Sequence, residues 1–538
     1  MIYVGNRSRE AEKGEPPSQY LNPISTLVFV NLQLNENIKM ISQTRTLFSG
    51  YSKICFLLVI LFVFAGKGFS QFKYTPDTST YKWLLPEFDT VQFYQREAML
   101  PFYQAWKSSS KEKMVVVYMG DSHVQSDILP GELRRNLQSI HGAGGRGMVF
   151  PYSTAKTYSS VEYKSTHTGN WLFGKGCIVP SRIPLGVTGM TARTSDSSAS
   201  FTITFLVSVP DNYDKLRVYC KHEISSFDFI LTCGGKSRTI HIDSSFKNNE
   251  PFIELDIPPI KDPITIKMHK SKSTQSEFEF YGMDIESSTD KGAVVHAVGV
   301  GAAQYQSVLY ENLVSTQLLY LNPDLVVLDF GTNDYLYDDS IKSNLQSQII
   351  QIIKIVRTAA PKASILLTST MDMYRRGHDL HSGIKFSDLI RNIAKKDTCL
   401  FFDWFWIAGG QGVMKQWQQS GLAQKDMIHL TFKGYDLKGD LLTNALAKSV
   451  EWMDKNPKGD SLVLNTDSIR KKQLRTLNKE KENNVKNVPT ATGIQHVILK
   501  GETLGSIARK YGVTIALIKK WNGLTSDMII AGKILWIY

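Results

Sequence analysis

The sequence predicts an α/β domain on a parallel sheet, interrupted by an all-β insertion and followed by a polar segment and a small C-terminal module. Short, continuous apolar runs are the first observation: MVVVYMG from Met114, AVVHAV at 293–298, LVVLDF at 325–330, SILLTS at 364–369 and CLFFDW at 399–404. Such runs mark strands buried on both faces. Helical patterns between them are the second, including LPGELRRNLQSI at 129–140 and a periodic apolar stripe over 341–358. Alternation of this kind implies right-handed βαβ units with helices on both sides of one sheet. The third is the interval 151–290, where runs such as KLRVYC, FDFILT, FIELDI and ITIKMH alternate apolar and polar residues between closely spaced turns. That pattern predicts a β-sandwich inserted in one loop of the α/β domain.

A chain of 538 residues is too long for one core. Its 42% hydrophobic and 21% charged residues are ordinary for globular protein. The formal charge of +12 suits an anionic partner, and nucleic acid, membrane surface and acidic wall polymer would all fit. Residues 54–65, ICFLLVILFVFA, follow Arg45 and Lys53 and precede small residues at Gly68 and Ser70. This is the layout of a secretory signal peptide cut after Ser70, and the run is too short to span a bilayer. Met40 stands where such a peptide would begin, so 1–70 reads as an over-extended start plus signal. The expected product is exported, periplasmic or wall-associated, with no membrane span after cleavage. Of five cysteines, Cys55 leaves with the signal. Cys177, Cys220, Cys233 and Cys399 do not make a disulfide scaffold, although Cys220 and Cys233 could bridge or remain half-buried thiols.

Four short segments carry chemistry. Gly120-Asp121-Ser122-His123 follows the first strand, Gly299-Val300-Gly301-Ala302 the second and Gly331-Thr332-Asn333-Asp334 the third, while Asp426-Met427-Ile428-His429 precedes the last helix. In open α/β sheets ligands bind beyond the carboxyl ends of the strands, where these segments lie. In this order they resemble the blocks of the SGNH (GDSL-type) hydrolase family over roughly 114–150 and 290–452. The resemblance implies a flavodoxin-like three-layer α/β/α domain in two parts, 71–150 and 291–454. A serine needs a base to take its proton and a third group to orient that base. Ser122 is the expected nucleophile, His429 the base and Asp426 the orienting carboxylate. The resemblance assigns the oxyanion hole to the Ser122 N–H, a second-block N–H at Gly301 or Ala302, and the Asn333 amide. His123, His378 and His381 lack an aspartate at matching spacing and read as structural or substrate-side. Asp403 is an alternative carboxylate.

No His/Cys set has metal-ligand spacing, and GAGGRG at 142–147 follows a helix, so neither metal nor cofactor is expected. Residues 455–492 read as a flexible, positively charged linker. The segment 493–538 resembles a LysM domain through His496-Val497, Gly501-Glu502-Thr503-Leu504, Tyr511-Gly512-Val513, Asn522 and the closing ILWI. This implies a βααβ unit that binds glycans containing N-acetylglucosamine, chiefly peptidoglycan. Its groove is expected from loop residues, among them Gly501, Glu502, Thr503, Leu504, Ile529 and Ile530. GDSHVQSD with GGRGMVFPY resembles the peptidoglycan O-acetylesterase branch, and the inserted sandwich then reads as a carbohydrate-binding-like module. The expectation is an exported serine acetylesterase acting on peptidoglycan, with no nucleic-acid partner. Esterase action on other acetylated polysaccharides and a non-catalytic wall-binding scaffold are the alternatives.

Overall fold

The computed structural model describes residues 79–245, 250–472, 474–475 and 493–538. The expected signal segment, 1–70, lies outside them. Among the described residues no helix is long and apolar enough to cross a membrane.

The five apolar runs form one parallel sheet in the order Gly292–Gly299, Lys113–Gly120, Leu325–Asp329, Ser364–Thr368, Leu400–Phe402. Nearly every residue of these strands is buried, because helices cover both faces. Helices Arg96–Ser108, Leu129–His141 and Phe432–Lys455 supply one apolar layer and Leu345–Ala359 and Ser382–Lys396 the other. Arg96–Ser108 had no counterpart in the sequence pattern. The first strand in the chain has the second on one side and the third on the other, so the winding direction reverses there. Loops diverge at such a switch point and leave a crevice. The first three sequence blocks all border it.

The insertion folds into two antiparallel sheets. The first runs Phe252–Asp256, Lys215–Cys220, Phe278–Glu286, Met190–Thr194, Leu172–Lys175; the second runs Tyr163–Thr168, Ser200–Phe205, Ile264–His269, Asp228–Cys233, Lys236–Ile240. Aromatic residues pack between them: the Phe201 and Phe280 rings lie 4.9 Å apart, and Phe229 and Phe278 5.8 Å. The insertion begins earlier than the sequence boundary suggests. Gly145–Val149 pairs antiparallel with Phe278–Glu286, so it belongs to the sandwich and not to the first hydrolase segment. Cys220 and Cys233 are both buried free thiols, which decides between the two readings of that pair.

The polar segment after 454 is only partly a linker. Leu462 makes an isolated antiparallel bridge with Phe93, Ile469 packs against the hydrolase core, and Arg470 pairs with Asp388. A few apolar side chains in a polar run were enough to dock it, a feature that composition averages away. Residues 476–492 lie outside the described ones.

The C-terminal module has the expected βααβ order: Ile494–Val497, Leu504–Tyr511, Ile515–Asn522, Ile534–Ile537, with the two strands paired antiparallel. Thr503 and Thr514 cap the helices through their hydroxyls, and Gly512 and Gly523 end them in the left-handed conformation. Ile498, Leu504, Ile507, Ala508, Ile518, Leu535 and Ile537 form its core.

Candidate active site

Ser122 opens a one-turn helix, Ser122–Gln125, immediately after the first strand. The turn is tight because Gly120 has no Cβ; one placed there would stand 2.6 Å from the Asp329 carbonyl oxygen and collide with Val124. Asp121, fully buried, ties two blocks together. Its Oδ1 accepts the His123 N–H at 2.9 Å and its Oδ2 accepts from Asn333 Nδ2 at 3.3 Å.

Asn333 sits in the turn Thr332–Tyr335, entered through Gly331 at φ +122°, where a side chain would also strike Phe386. Its amide donates to the Ala303 carbonyl at 3.0 Å as well as to Asp121, and its own carbonyl accepts from Gln304 Nε2 at 2.6 Å. The side chain is therefore held by two bonds, and the Asn333 backbone carbonyl by a third, before any substrate arrives.

The fourth block is shaped by Asp426. Its Oδ1 accepts the Ile428 and His429 N–H groups, both at 3.0 Å, closing a turn with Met427 at φ +53°. That turn brings His429 Nδ1 to 2.7 Å from Asp426 Oδ2, and His429 Nε2 lies 2.9 Å from Ser122 Oγ. With Nδ1 protonated toward Asp426, Nε2 is an acceptor for the serine hydroxyl. Asp426 and His429 remain 42% and 34% exposed in their side chains, so the chain of hydrogen bonds lies at an open surface.

Electrostatics follow from this placement. Burial alone would raise Asp426, but its hydrogen bonds from His429 and from the turn outweigh it and bring the carboxyl down to about 2. For His429, burial opposes the charged ring, whereas the hydrogen bond and charge of Asp426, with Asp121 behind, hold it above its ordinary value. Asp121 and Asp334 are pushed up to about 7, chiefly by burial. Lys438 is buried 4.2 Å from the Trp404 ring; burial lowers its pKa and the charges of Asp329 and Asp121 oppose that.

Sequence reasoning reads His123 as structural or substrate-side and leaves Gln125, Tyr158 and Tyr435 unassigned. His123 Nδ1 is 2.8 Å from the Tyr435 hydroxyl and its ring lies 5.2 Å from that of His429, so it lines the site as a neutral wall. Burial first, then the charges of His429 and Lys438, keep it far below its ordinary pKa. Gln125, also buried, receives the Gly301 N–H at 2.6 Å and donates to Thr157 Oγ1 and to the Tyr158 carbonyl. Hence the Gly301 N–H, one of the two expected second-block donors, is engaged internally; Ala302 takes the left-handed conformation, φ +65°. The Tyr158 hydroxyl donates to the Ser122 carbonyl at 3.4 Å while its ring stays 48% exposed, so the insertion contributes a wall.

His378 lies in an exposed hairpin and the His381 N–H donates to Asp339. Neither hydrogen-bonds with Ser122, Asp426 or His429. Asp403 is buried with Ser369, Ser387 and Arg391, which corrects its reading as an alternative carboxylate: its acceptor sites are filled. In the C-terminal module Leu504 is core, not groove, because the first helix turns it inward. The Glu502 carboxylate accepts the Leu499 N–H and meets His496, and Thr503 is the helix cap. Ile529 packs partly against the core, whereas Ile530 is 65% exposed; Gly501 takes a left-handed turn.

A serine, histidine and aspartate in one hydrogen-bonded line at the switch point of a parallel sheet define an SGNH-type hydrolase domain. The model of the GDSL-like Lipase/Acylhydrolase family matches residues 278–437, and that of the LysM domain matches 496–537. The chain therefore carries a GDSL-like lipase/acylhydrolase domain and a LysM domain. The first match contains the second, third and fourth blocks; Ser122 lies upstream, separated by the insertion. The fold is similar to that of a solved structure titled as a peptidoglycan O-acetylesterase in action, with TM-score 0.55 and 21% identity over 67% of this chain and 99% of the other. The chain is 52% identical over 46 residues to a cell wall-binding protein of Bacillus subtilis (strain 168), covering 9% of this chain and 16% of that protein. It is 41% identical over 44 residues to an autolysin of Enterococcus faecalis (strain ATCC 700802 / V583), 8% of this chain and 6% of that one. The chain thus spans under a fifth of either curated relative.

Proposed function

We propose that this chain is an exported serine esterase that removes O-acetyl groups from peptidoglycan glycan strands. The observation that carries the reading is the unbroken Ser122–His429–Asp426 line, with contacts of 2.9 and 2.7 Å. His429 Nε2 takes the hydroxyl proton as Ser122 Oγ attacks the acetyl carbonyl carbon, and the C=O electrons move onto the oxygen. The Ser122 N–H receives that oxyanion, and the Asn333 amide and the Gly301 N–H join it when substrate oxygen displaces their internal acceptors, Asp121 or the Ala303 carbonyl for the first and Gln125 for the second. Collapse expels the sugar alkoxide, which takes the proton from His429. Water, activated by the same histidine, then cleaves the acetyl-enzyme to acetate. The open site suits a polymer, and the C-terminal module supplies a wall anchor.

The test is acetate release from O-acetylated peptidoglycan, compared with acetylated xylan and a long-chain ester at equal enzyme concentration. Peptidoglycan should be cleaved most efficiently. A preference for xylan would replace the polymer in this reading, and a preference for the long-chain ester would discard it.

Asn333→Ala should lower kcat about 10²–10³-fold with little change in KM, because it removes one oxyanion donor. A loss confined to KM would make Asn333 a ground-state binding residue. Fold retention is checked by circular dichroism, since Asp121 also loses a partner.

Truncation near Pro489 should leave turnover of a small soluble ester at the full-length rate, since the proposed site ends at His429. Hydrolysis of insoluble peptidoglycan should slow, because tethering raises local substrate concentration without adding a catalytic contact, and sedimentation with purified sacculi should fall sharply as the anchor is lost. Salt screens adsorption by basic side chains but not sugar recognition in a groove. Unchanged sedimentation at high salt would shift the anchor to the inserted sandwich.

A further inference from the structure

A second cluster of reactive groups lies away from the Ser122 line, at the seam between the inserted sandwich and the central sheet. Asp284 and Glu286 stand two residues apart on the sandwich strand Phe278–Glu286, hence on one face of it. His296 lies on the central-sheet strand Gly292–Gly299. One donor atom from each falls within 4.8 Å of the other two, and His296 Nδ1 is 3.6 Å from Asp284 Oδ1.

The glycine-rich stretch 142–147, which follows no phosphate-binding pattern, has a use here. A Cβ on Gly145 would stand 2.9 Å from Glu286 Cα, and one on Gly147 would stand 3.1 Å from His296 Cα and 2.7 Å from the Val295 oxygen. Backbone without side chains lets the Gly145–Val149 strand fit between the two sheets, and so lets the carboxylates reach the histidine.

The polar accounting of this cluster does not close. The side chains of Asp284 and His296 are both 0% exposed. Among the described residues neither ring nitrogen of His296 has a hydrogen-bond partner, and no donor reaches Asp284, whose hydrogen bond with the Glu286 carboxylate requires a shared proton. Buried polar atoms are rarely left so, and each instance calls for a water, an ion or a proton. Two neighbouring cations pair with the carboxylates, but neither reaches His296. Lys113 Nζ bonds to Glu286 Oε2 at 2.5 Å and to the Ser287 carbonyl, and Arg217 Nε to Glu254 at 2.9 Å. Arg217 Nη1 stays 3.7 Å from Asp284 and 3.5 Å from Glu286, and Arg134 pairs with Asp127 and Glu162. A single cation that accepts lone pairs from both carboxylates and the imidazole would satisfy the three side chains together.

We propose that Asp284, Glu286 and His296 bind a first-row divalent cation of the zinc class, which pins the sandwich to the hydrolase sheet. One imidazole nitrogen with two carboxylate oxygens suits zinc and disfavours magnesium or calcium, which take oxygen ligands. Because the ligands are buried, the ion enters as the two sheets close on each other during folding. Its role is structural: binding to the folded state alone adds stability by mass action.

Full-length protein is unfolded in denaturant with chelator, then refolded with or without ZnCl₂ and desalted. The expected result is about one zinc per chain by elemental analysis, with a higher Tm than the metal-free refolded sample and no such gain from MgCl₂. Refolding with CoCl₂ should give visible d–d absorption. Substoichiometric zinc with an unchanged Tm would overturn the proposal and leave a shared proton or water in the cluster. Asp284→Asn, nearly isosteric, should lose the zinc. A folded Asp284→Asn protein that keeps it would place the metal elsewhere and also overturn the proposal. If that variant does not fold, the wild-type zinc content and cobalt spectrum still decide.

Discussion

Ser122→Ala should lower turnover of a short-chain aryl ester by about 10⁵–10⁶-fold, the scale on which loss of a nucleophile disables a serine hydrolase. Ser122 Oγ is the hydroxyl bonded to His429 Nε2, so no other group inherits the activated proton. The substitution deletes one oxygen from a half-buried side chain and leaves the Asp121 cap intact, so stability should change little. Burst kinetics supply a second readout: wild-type protein should release aryl alcohol in a burst as acetyl-enzyme accumulates, and Ser122→Ala should not. Activity within tenfold of wild type in a folded variant would remove the serine mechanism.

Asp426→Asn should cost about 10⁴-fold in kcat, because an amide can present its NH₂ to Nδ1 and turn the imidazole into the wrong tautomer. The pH profile discriminates this role from a merely structural one. Activity requires neutral His429, so the rate should rise with pH through the pKa of that ring. In the wild type this midpoint lies above the ordinary 6.5, because the Asp426 bond and charge outweigh burial. Without the carboxylate, burial prevails and the midpoint of residual activity should move to lower pH. The linkage signs agree. A raised His429 contributes stability that is present below 6.5 and lost as pH climbs through the folded value. Asp426, held near 2, contributes stability that is present above 3.8 and lost as pH falls toward 2. A midpoint unmoved by Asp426→Asn would show that Asp426 does not set the base.

The four blocks were legible in the sequence because each is local: a strand end, a turn, and a side chain that the turn aims. Asp426 and His429 are three residues apart, and the turn that joins them is built from their own backbone N–H groups. The βααβ module was legible through its resemblance to a LysM domain, carried by short local motifs such as Gly501-Glu502-Thr503-Leu504 and Tyr511-Gly512-Val513. Periodicity identified the strands of the parallel sheet and the later strands of the sandwich, since burial on one face or two leaves a pattern of period two or an unbroken apolar run, but it did not mark Gly145–Val149, Tyr163–Thr168, Leu172–Lys175 or Met190–Thr194.

What the sequence did not carry is pairing across distance. Gln125 occupies the Gly301 N–H from 176 positions away, and Asp121 holds Asn333 from 212 away. From sequence Leu504 reads as groove, because a glycan-binding loop and a first helical turn look alike until the helix is oriented against a core. The sequence reads 455–492 as linker because a few anchoring side chains, among them Leu462, Ile469 and Arg470, do not change an average composition. Asp284, Glu286 and His296 have no motif spacing at all; a glycine-permitted approach of two sheets brings them together. Local hydrogen bonding and side-chain period are properties of a short segment, so the sequence alone determined the strands of the parallel sheet, most of those in the sandwich, and the chemistry that the four blocks could offer. Which donors stay free, which polar groups are buried together and where the insertion meets the sheet depend on long-range packing, which only the tertiary structure decides.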